Sequence, residues 1–167
     1  LEALAIVDGR DDATQDALSA MKDSRLRVIV PPVRLGNAGA RNAGVSQARG
    51  RWVAFLDDDD LWMPTKLEHQ LAIAERSGYE HPIVTCNLTA RSESQDFLWP
   101  RRRPAASEPL SEYLFCRSTP YTGEGVIVTS TIFTDRELLA RVPFDHTLPR
   151  YVDIDWLLRV DKEPGTG

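Results

Sequence analysis

Apolar and polar positions alternate along the chain in blocks whose period changes, and the changes predict strands followed by helices. Leu4, Ala5, Ile6 and Val7 form an apolar run that stops at Asp8-Gly9-Arg10-Asp11-Asp12, so residues 1–7 read as a strand closed by a polar turn. Behind Asp11 or Asp12, either of which can cap a helix, Ala13, Ala17, Leu18 and Met21 recur on one helical face as far as Asp23-Ser24. A second strand follows over 26–30, closed by Pro31-Pro32. The small-residue stretch from Gly36 onward is long enough for a helix with Gly50 just past its end.

The second half of the pattern continues in the same way. Residues 52–56 are apolar without alternation, as in a strand covered on both faces. Pro64 fits the first turn of a helix whose apolar face is Leu67, Leu71 and Ala74, ending at Gly78. Residues 82–87 predict a strand, and 91–109 are polar, a surface excursion. A short helix over 111–116, a turn over 121–125 and strand material over 126–128 and 130–133 come next. Thr134 with Glu137 reads as a capping box ahead of Leu138, Leu139 and Val142, and a last helix starts near Val152. The order predicts an α/β fold.

One junction in this pattern is chemically unusual. The apolar run 52–56 ends in four consecutive carboxylates, Asp57, Asp58, Asp59 and Asp60, before Leu61-Trp62-Met63-Pro64. Two unit charges ~4 Å apart repel by roughly 1 kcal/mol in water and about 4 at an effective dielectric near 20. A ligand at the carboxyl end of a strand, where open α/β sheets bind ligands, would offset that repulsion. An extended backbone past Leu56 would put Asp57 and Asp59 on one face, two hard oxygen donors suited to Mg²⁺ or Mn²⁺ carrying substrate phosphates. A solvated acidic loop is the alternative.

Composition narrows the classes. The 167 residues suffice for one domain with a core, 42% hydrophobic and 27% charged residues are ordinary for a globular domain, and a net charge of −5 argues against nucleic acid as the main partner. No apolar run reaches the length of a membrane span. Cys86 and Cys116 lack metal-ligand spacing and read as buried free thiols of a reducing compartment. His69, His81 and His146 read as surface residues, since no second His or Cys stands at metal spacing. Arg101-Arg102-Arg103, between prolines, forms either a solvated face or a contact for an anionic acceptor or lipid head groups. Gly39 and Gly44 have the outer spacing of a phosphate loop, but Val45 stands where the lysine belongs. A milder possibility is that amides from Gly36 to Ala40, with Arg41, face a nucleotide or diphosphate at a helix N-terminus.

Asp8 and its neighbours, Gly36-Asn37 through Gly44, the run Phe55-Leu56-Asp57-Asp58-Asp59-Asp60-Leu61-Trp62-Met63-Pro64-Thr65-Lys66-Leu67 and the late stretch Asp153-Ile154-Asp155-Trp156 together resemble the family 2 glycosyltransferases. The resemblance implies a GT-A fold, a Rossmann-like, mostly parallel sheet flanked by helices. It implies one domain over 1–167, with 1–90 as the nucleotide-sugar-binding half and 91–167 as the acceptor side. Asp8 would contact the nucleotide base, Gly36, Asn37, Arg41, Asp57 and Asp58 the rest of the nucleotide sugar, and Asp57 and Asp59 a Mg²⁺ or Mn²⁺ ion, with Asp59 the strongest metal candidate. Asp153 would be the catalytic base of an inverting transfer from a UDP- or dTDP-sugar to a saccharide or lipid-linked hydroxyl. Val152 stands where the family's late motif has an acid, so Asp155 remains an alternative base. The resemblance further implies a fragment lacking the first strand and the C-terminal part, and a cytoplasmic setting, peripheral to the inner face of the membrane.

Two other readings compete. A haloacid-dehalogenase-type phosphatase also places Asp-x-Asp after a strand, but Leu61 and Trp62-Met63-Pro64 fit it poorly, and an EF-hand count from Asp57 puts Trp62 where Gly is needed. A catalytically silent GT-A domain that binds a sugar or a partner is the non-enzymatic reading.

Overall fold

The computed structural model describes residues 1–105, 107–116 and 123–167. Tyr121 and Thr122, the first half of the turn expected over 121–125, lie outside the described residues. The elements are β1 (Ala3–Ile6), α1 (Asp12–Ala20), β2 (Leu26–Ile29), α2 (Gly36–Gln47), β3 (Trp52–Ala54), α3 (Lys66–Arg76), β4 (Leu88–Arg91), β5 (Asp96–Trp99), α4 (Leu110–Phe115), β6 (Phe133–Asp135), α5 (Arg136–Arg141) and α6 (Val152–Val160). A 3₁₀ turn, Thr129–Thr131, precedes β6. Strands pair as β1 with β2, β3 with β6 and β4 with β5. The chain divides into two units, Leu1–Val53 with Asp135–Trp156 and Ala54–Thr134 with Leu157–Gly167.

In the first unit β1 and β2 run parallel, Ala3 opposite Leu26 and Ile6 opposite Ile29, joined by the crossover helix α1. Asp11 caps α1, its carboxylate accepting from the Thr14 amide at 3.0 Å. The expected apolar face of α1 is covered only in part, at the half-buried Leu18. Ala13, Ala17 and Met21 are exposed, and the helix buries no residue. Helix α2 packs on β1 through its small residues, since a Cβ at Gly44 would come within 3.4 Å of Ile6. It ends at Gln47, short of the stop expected at Gly50. Arg27 donates to the Gln47 carbonyl at 3.0 Å, and Glu2 accepts from the Arg49 and Gly50 amides at 2.6 and 3.2 Å. Arg27 satisfies the last helical carbonyl and Glu2 holds the chain just beyond it, so the glycine cap is not used. The core of this unit includes Val7, Ala38, Val45, Leu138, Leu139, Phe144 and Trp156.

The second unit departs further from the sequence pattern. Residues 82–87 form no strand. Val84 alone makes a bridge, donating to and accepting from Phe133 at 2.8 and 2.9 Å. Pro82 has no N–H to extend a ladder, and the Pro82 carbonyl takes the Thr134 hydroxyl instead. Thr134 is thus spent, and Asp135 caps α5, accepting from the Leu138 amide at 2.8 Å. Residues 126–128 are not a strand either, and the chain enters the 3₁₀ turn with the Thr131 hydroxyl on the Val128 carbonyl. An antiparallel hairpin runs from Leu88 into the stretch read as a polar excursion from 91, with Leu88 facing Trp99 and Arg91 facing Asp96. Its apolar alternation is only four residues long on each strand, with Phe97 and Trp99 stacked at 6.2 Å. Helix α3 begins at Lys66, so Pro64 lies before the helix rather than in its first turn.

Cys86 and Cys116 are free thiols, but Cys116 is exposed at the end of α4 and Cys86 is half-buried outside any strand. His69 and His146 are exposed as expected, whereas His81 is buried beside the C-terminal residues, its amide donating to the Gly165 carbonyl. No helix among the described residues is long and apolar enough to cross a membrane.

Candidate functional site

The four acids do not continue β3. The Asp60 amide donates to the Asp57 carbonyl at 3.1 Å, closing a turn with Asp58 and Asp59 at its tip. The turn replaces the extended geometry that would place Asp57 and Asp59 on one face, and it lets like charges separate into solvent. Asp57 is half-buried and the other three are exposed. Among the described residues no hydrogen bond or ion pair engages Asp58 or Asp59. Among the described residues no three or more His, Cys, Asp or Glu side chains are arranged so that they could hold a metal ion. Exposed carboxylate oxygens with open coordination positions are nevertheless the donor set that Mg²⁺ uses when substrate phosphates and water complete the shell.

What fixes this turn was not legible beforehand. Ser130, on the 3₁₀ turn, accepts the Asp57 amide on its hydroxyl at 2.9 Å, and its carbonyl accepts the Trp62 indole N–H at 3.2 Å. Lys66 Nζ lies 4.3 Å from the Trp62 ring centroid and donates to Gln70 Oε1 at 2.7 Å. Gln70 is 2% exposed and donates to the Val84 and Thr131 carbonyls. Burial lowers the Lys66 ammonium below its ordinary pKa and raises the Cys86 thiol above its own.

In the first unit Asp8 closes on the start of α2. Its two carboxylate oxygens accept from the Leu35 and Gly36 amides at 2.6 and 2.8 Å, and Gly36 takes a φ of 73°, which favours glycine. The structure therefore brings Asp8 and Gly36 into direct contact. The Gly36 amide, one of those expected to face a diphosphate, is committed to Asp8. Asn37 is exposed on the first turn, and the Arg41 guanidinium lies 5.8 Å from the Phe144 ring centroid. One residue further along, Asn42 exchanges two hydrogen bonds with the Phe144 backbone.

Phe144 leads into the late acids. Its ring sits 5.4 Å from that of Trp156, whose indole donates to the Val142 carbonyl at 2.7 Å, and this fixes the first turns of α6. Asp153 and Asp155 both fall in the first turn and both are half-buried. Asp153 accepts from the Ile154 amide at 2.9 Å, while the Asp155 amide donates to the Tyr151 carbonyl at 2.9 Å. Asp8, Gly36, Asn37, Arg41, Asp153 and Asp155 thus belong to the first unit, and Asp57, Asp58 and Asp59 to the second.

The arginine triplet divides three ways. Arg102 is tied to both oxygens of Glu108 at 2.6 Å, Arg101 lies 6.0 Å over the Phe97 ring, and Arg103 is exposed. All three line an open cleft of about 620 Å³ beside β5.

The first unit thus holds a carboxylate latched to the N-terminus of α2, and the second an acidic turn after β3, each on α/β scaffolding. The profile described as Glycosyl transferase family 2 matches residues 1–142, and the chain belongs to that family. It is 33% identical over 165 residues to the amylovoran biosynthesis glycosyltransferase AmsB of Erwinia amylovora, a match covering 91% of this chain and 52% of AmsB. It is 40% identical over 75 residues to WfaP of Escherichia coli, named a UDP-Glc:alpha-D-GlcNAc-diphosphoundecaprenol beta-1,3-glucosyltransferase, covering 45% of this chain and 30% of WfaP. The crystal structure of S. aureus TarS 1-349 superimposes with a TM-score of 0.64 at 18% identity, over 96% of this chain and 45% of that one. The fold is GT-A. The chain spans about half the length of AmsB.

Proposed function

We propose that the protein transfers a sugar from a nucleoside-diphosphate donor to a hydroxyl acceptor in polysaccharide or glycolipid assembly, with inversion at the anomeric carbon. The observation that carries this reading is the turn at residues 57–60, which presents Asp58 and Asp59 to solvent, engaged by no protein partner among the described residues, immediately after β3. Membership of a glycosyltransferase family supports a sugar donor as the ligand of that turn. The name of WfaP, with a UDP-sugar donor and a diphosphoundecaprenol-linked acceptor, supports uridine over thymidine and a lipid-linked acceptor, and we place the reaction at the inner, cytoplasmic face of a membrane. Residues 1–90 then serve the donor and 91–167 the acceptor.

Each residue has a role in that reading. Asp57 and Asp59, brought together across the turn, would hold Mg²⁺ or Mn²⁺, and the ion would supply neutralisation of the charge on the departing diphosphate. Asp58 and Arg41 orient the donor, with Asn37 on the first turn of α2 and Gly36, whose amide Asp8 holds, shaping the approach to it. Asp8 uses one acceptor position of each oxygen for the α2 amides and keeps others for the base. Asp153, or Asp155 in its place, accepts the proton of the acceptor hydroxyl. The acceptor oxygen forms its bond to the anomeric carbon as the bond to the diphosphate breaks, on opposite faces of the sugar.

Calorimetric titration with uridine diphosphate, with and without Mn²⁺, tests the reading. Binding by the unaltered protein that requires Mn²⁺, and that Asp59→Ala abolishes, is expected. Binding that ignores both the metal and Asp59 would remove the metal site from the mechanism.

A further inference from the structure

We propose that Ser130 is a positioning residue for the acidic turn, holding it at both its entry and its exit. The proposal rests on the reading of residues 57–60 as the seat of a metal-borne diphosphate. Four neighbouring carboxylates favour a loop that spreads apart, and the one backbone bond from Asp60 to Asp57 sets only its curvature. Its position is set from outside. The Ser130 hydroxyl accepts the Asp57 amide at 2.9 Å where the turn begins, and the Ser130 carbonyl accepts the Trp62 indole at 3.2 Å where it ends.

Ser130 is itself fixed. It is 6% exposed and lies between Thr129 and Thr131 on a single 3₁₀ turn. The contacts around it form a circuit that runs from Ser130 to the Trp62 indole, from that ring to Lys66 Nζ, from Lys66 to Gln70, and from Gln70 to the carbonyl of Thr131 beside Ser130. No carboxylate belongs to this circuit. The Ser130 hydroxyl links it to the Asp57 backbone, so removing that oxygen leaves the circuit whole, keeps the Trp62 hold on the exit and loosens the turn at its entry. The division of labour makes the role separable from general stability.

Calorimetric titration of Mn²⁺ and uridine diphosphate into the unaltered protein, Ser130→Ala and Ser130→Thr, with thermal melts of each, tests it. Ser130→Ala is expected to melt cooperatively and to bind about five- to tenfold more weakly, the worth of one hydrogen bond, while Ser130→Thr, which keeps a hydroxyl, stays within about twofold of the unaltered protein. Equal binding by Ser130→Ala, or equal weakening by Ser130→Thr, overturns the proposal and leaves the function intact. Binding by the unaltered protein that needs no metal removes the metal site and this proposal with it, and no binding of uridine diphosphate at all overturns the proposed uridine-linked donor as well. Should Ser130→Ala lose its cooperative melt, Trp62→Phe decides: it removes the indole donor and keeps a ring under Lys66, and it is expected to weaken binding severalfold. Unchanged binding by a folded Trp62→Phe overturns the proposal.

Discussion

Asn42 and Phe144 exchange two hydrogen bonds. The side-chain amide of Asn42 donates to the Phe144 carbonyl at 2.8 Å, and its carbonyl oxygen accepts the Phe144 amide at 3.0 Å. The pair imitates a strand ladder with one side chain and ties α2 to the stretch that leads into α6. Phe144 is 1% exposed, and both of its backbone groups take Asn42 as a partner away from solvent. Asn42→Ala should cost about 1–3 kcal/mol for each backbone group it strands, measured by urea denaturation. Asn42→Asp keeps the acceptor and loses the donor, and should fall between the two.

The late acids make a prediction about rate rather than stability. Asp153 and Asp155 share the first turn of α6 and are both half-buried, so burial does not choose between them. Loss of a general base lowers turnover by about 10²–10⁴-fold. Replacing the true base by asparagine should produce a fall of that size at saturating donor and leave the affinity for uridine diphosphate unchanged, whereas the same change at the other acid should cost far less. Comparable rates from both variants would place the base elsewhere.

Elements with long, self-sufficient patterns were legible in the sequence. The α1 cap at Asp11, the parallel strands β1 and β2 and the start of α6 near Val152 all stand where local pattern put them. The family motif was legible too, because its residues are contiguous. What could not be read is set by partners distant in sequence. The stop of α2 depends on Arg27 and Glu2, and residues 82–87 fail as a strand because the partners of Pro82 and Val84 lie near residue 133. The bond from Ser130 to Asp57 spans 73 positions and that from Asn42 to Phe144 spans 102, and nothing local marks either serine or asparagine. The hairpin β4–β5 was missed for the opposite reason, an alternation too brief to stand out beside the arginines that follow it.

Tyr151, just before α6, has a φ of 60°, a backbone region that costs a residue with a Cβ roughly 1–2 kcal/mol. It is 71% exposed, so its ring recovers little of that cost by burial. Its carbonyl accepts the Asp155 amide, a bond that any residue in this conformation could make. Tyr151→Gly should therefore stabilise the protein by about 0.5–1 kcal/mol in urea denaturation, and Tyr151→Ala should give none of that gain. A loss on glycine substitution would mean that the ring contributes contacts that outweigh the backbone conformation.

Glu108 predicts the shape of the acid limb. Both of its oxygens accept from Arg102 at 2.6 Å, and the Ala105 amide adds a third bond at 3.0 Å. The guanidinium first and the amide second hold the carboxyl below its ordinary value of 4.5. A folded-state pKa below the unfolded one means that the unfolded chain binds the proton more readily. The stabilisation is therefore complete above 4.5 and is lost as the pH falls through the lowered folded value. Denaturation midpoints taken from neutral pH downward should show the unaltered protein above Glu108→Gln at neutrality, with the gap narrowing below the ordinary carboxylate range. The glutamine still accepts from Arg102 but carries no charge to lose, so its own curve should be flatter over the same interval. A gap that stays constant from neutral to acid pH would show that the pair contributes geometry without a titrating component.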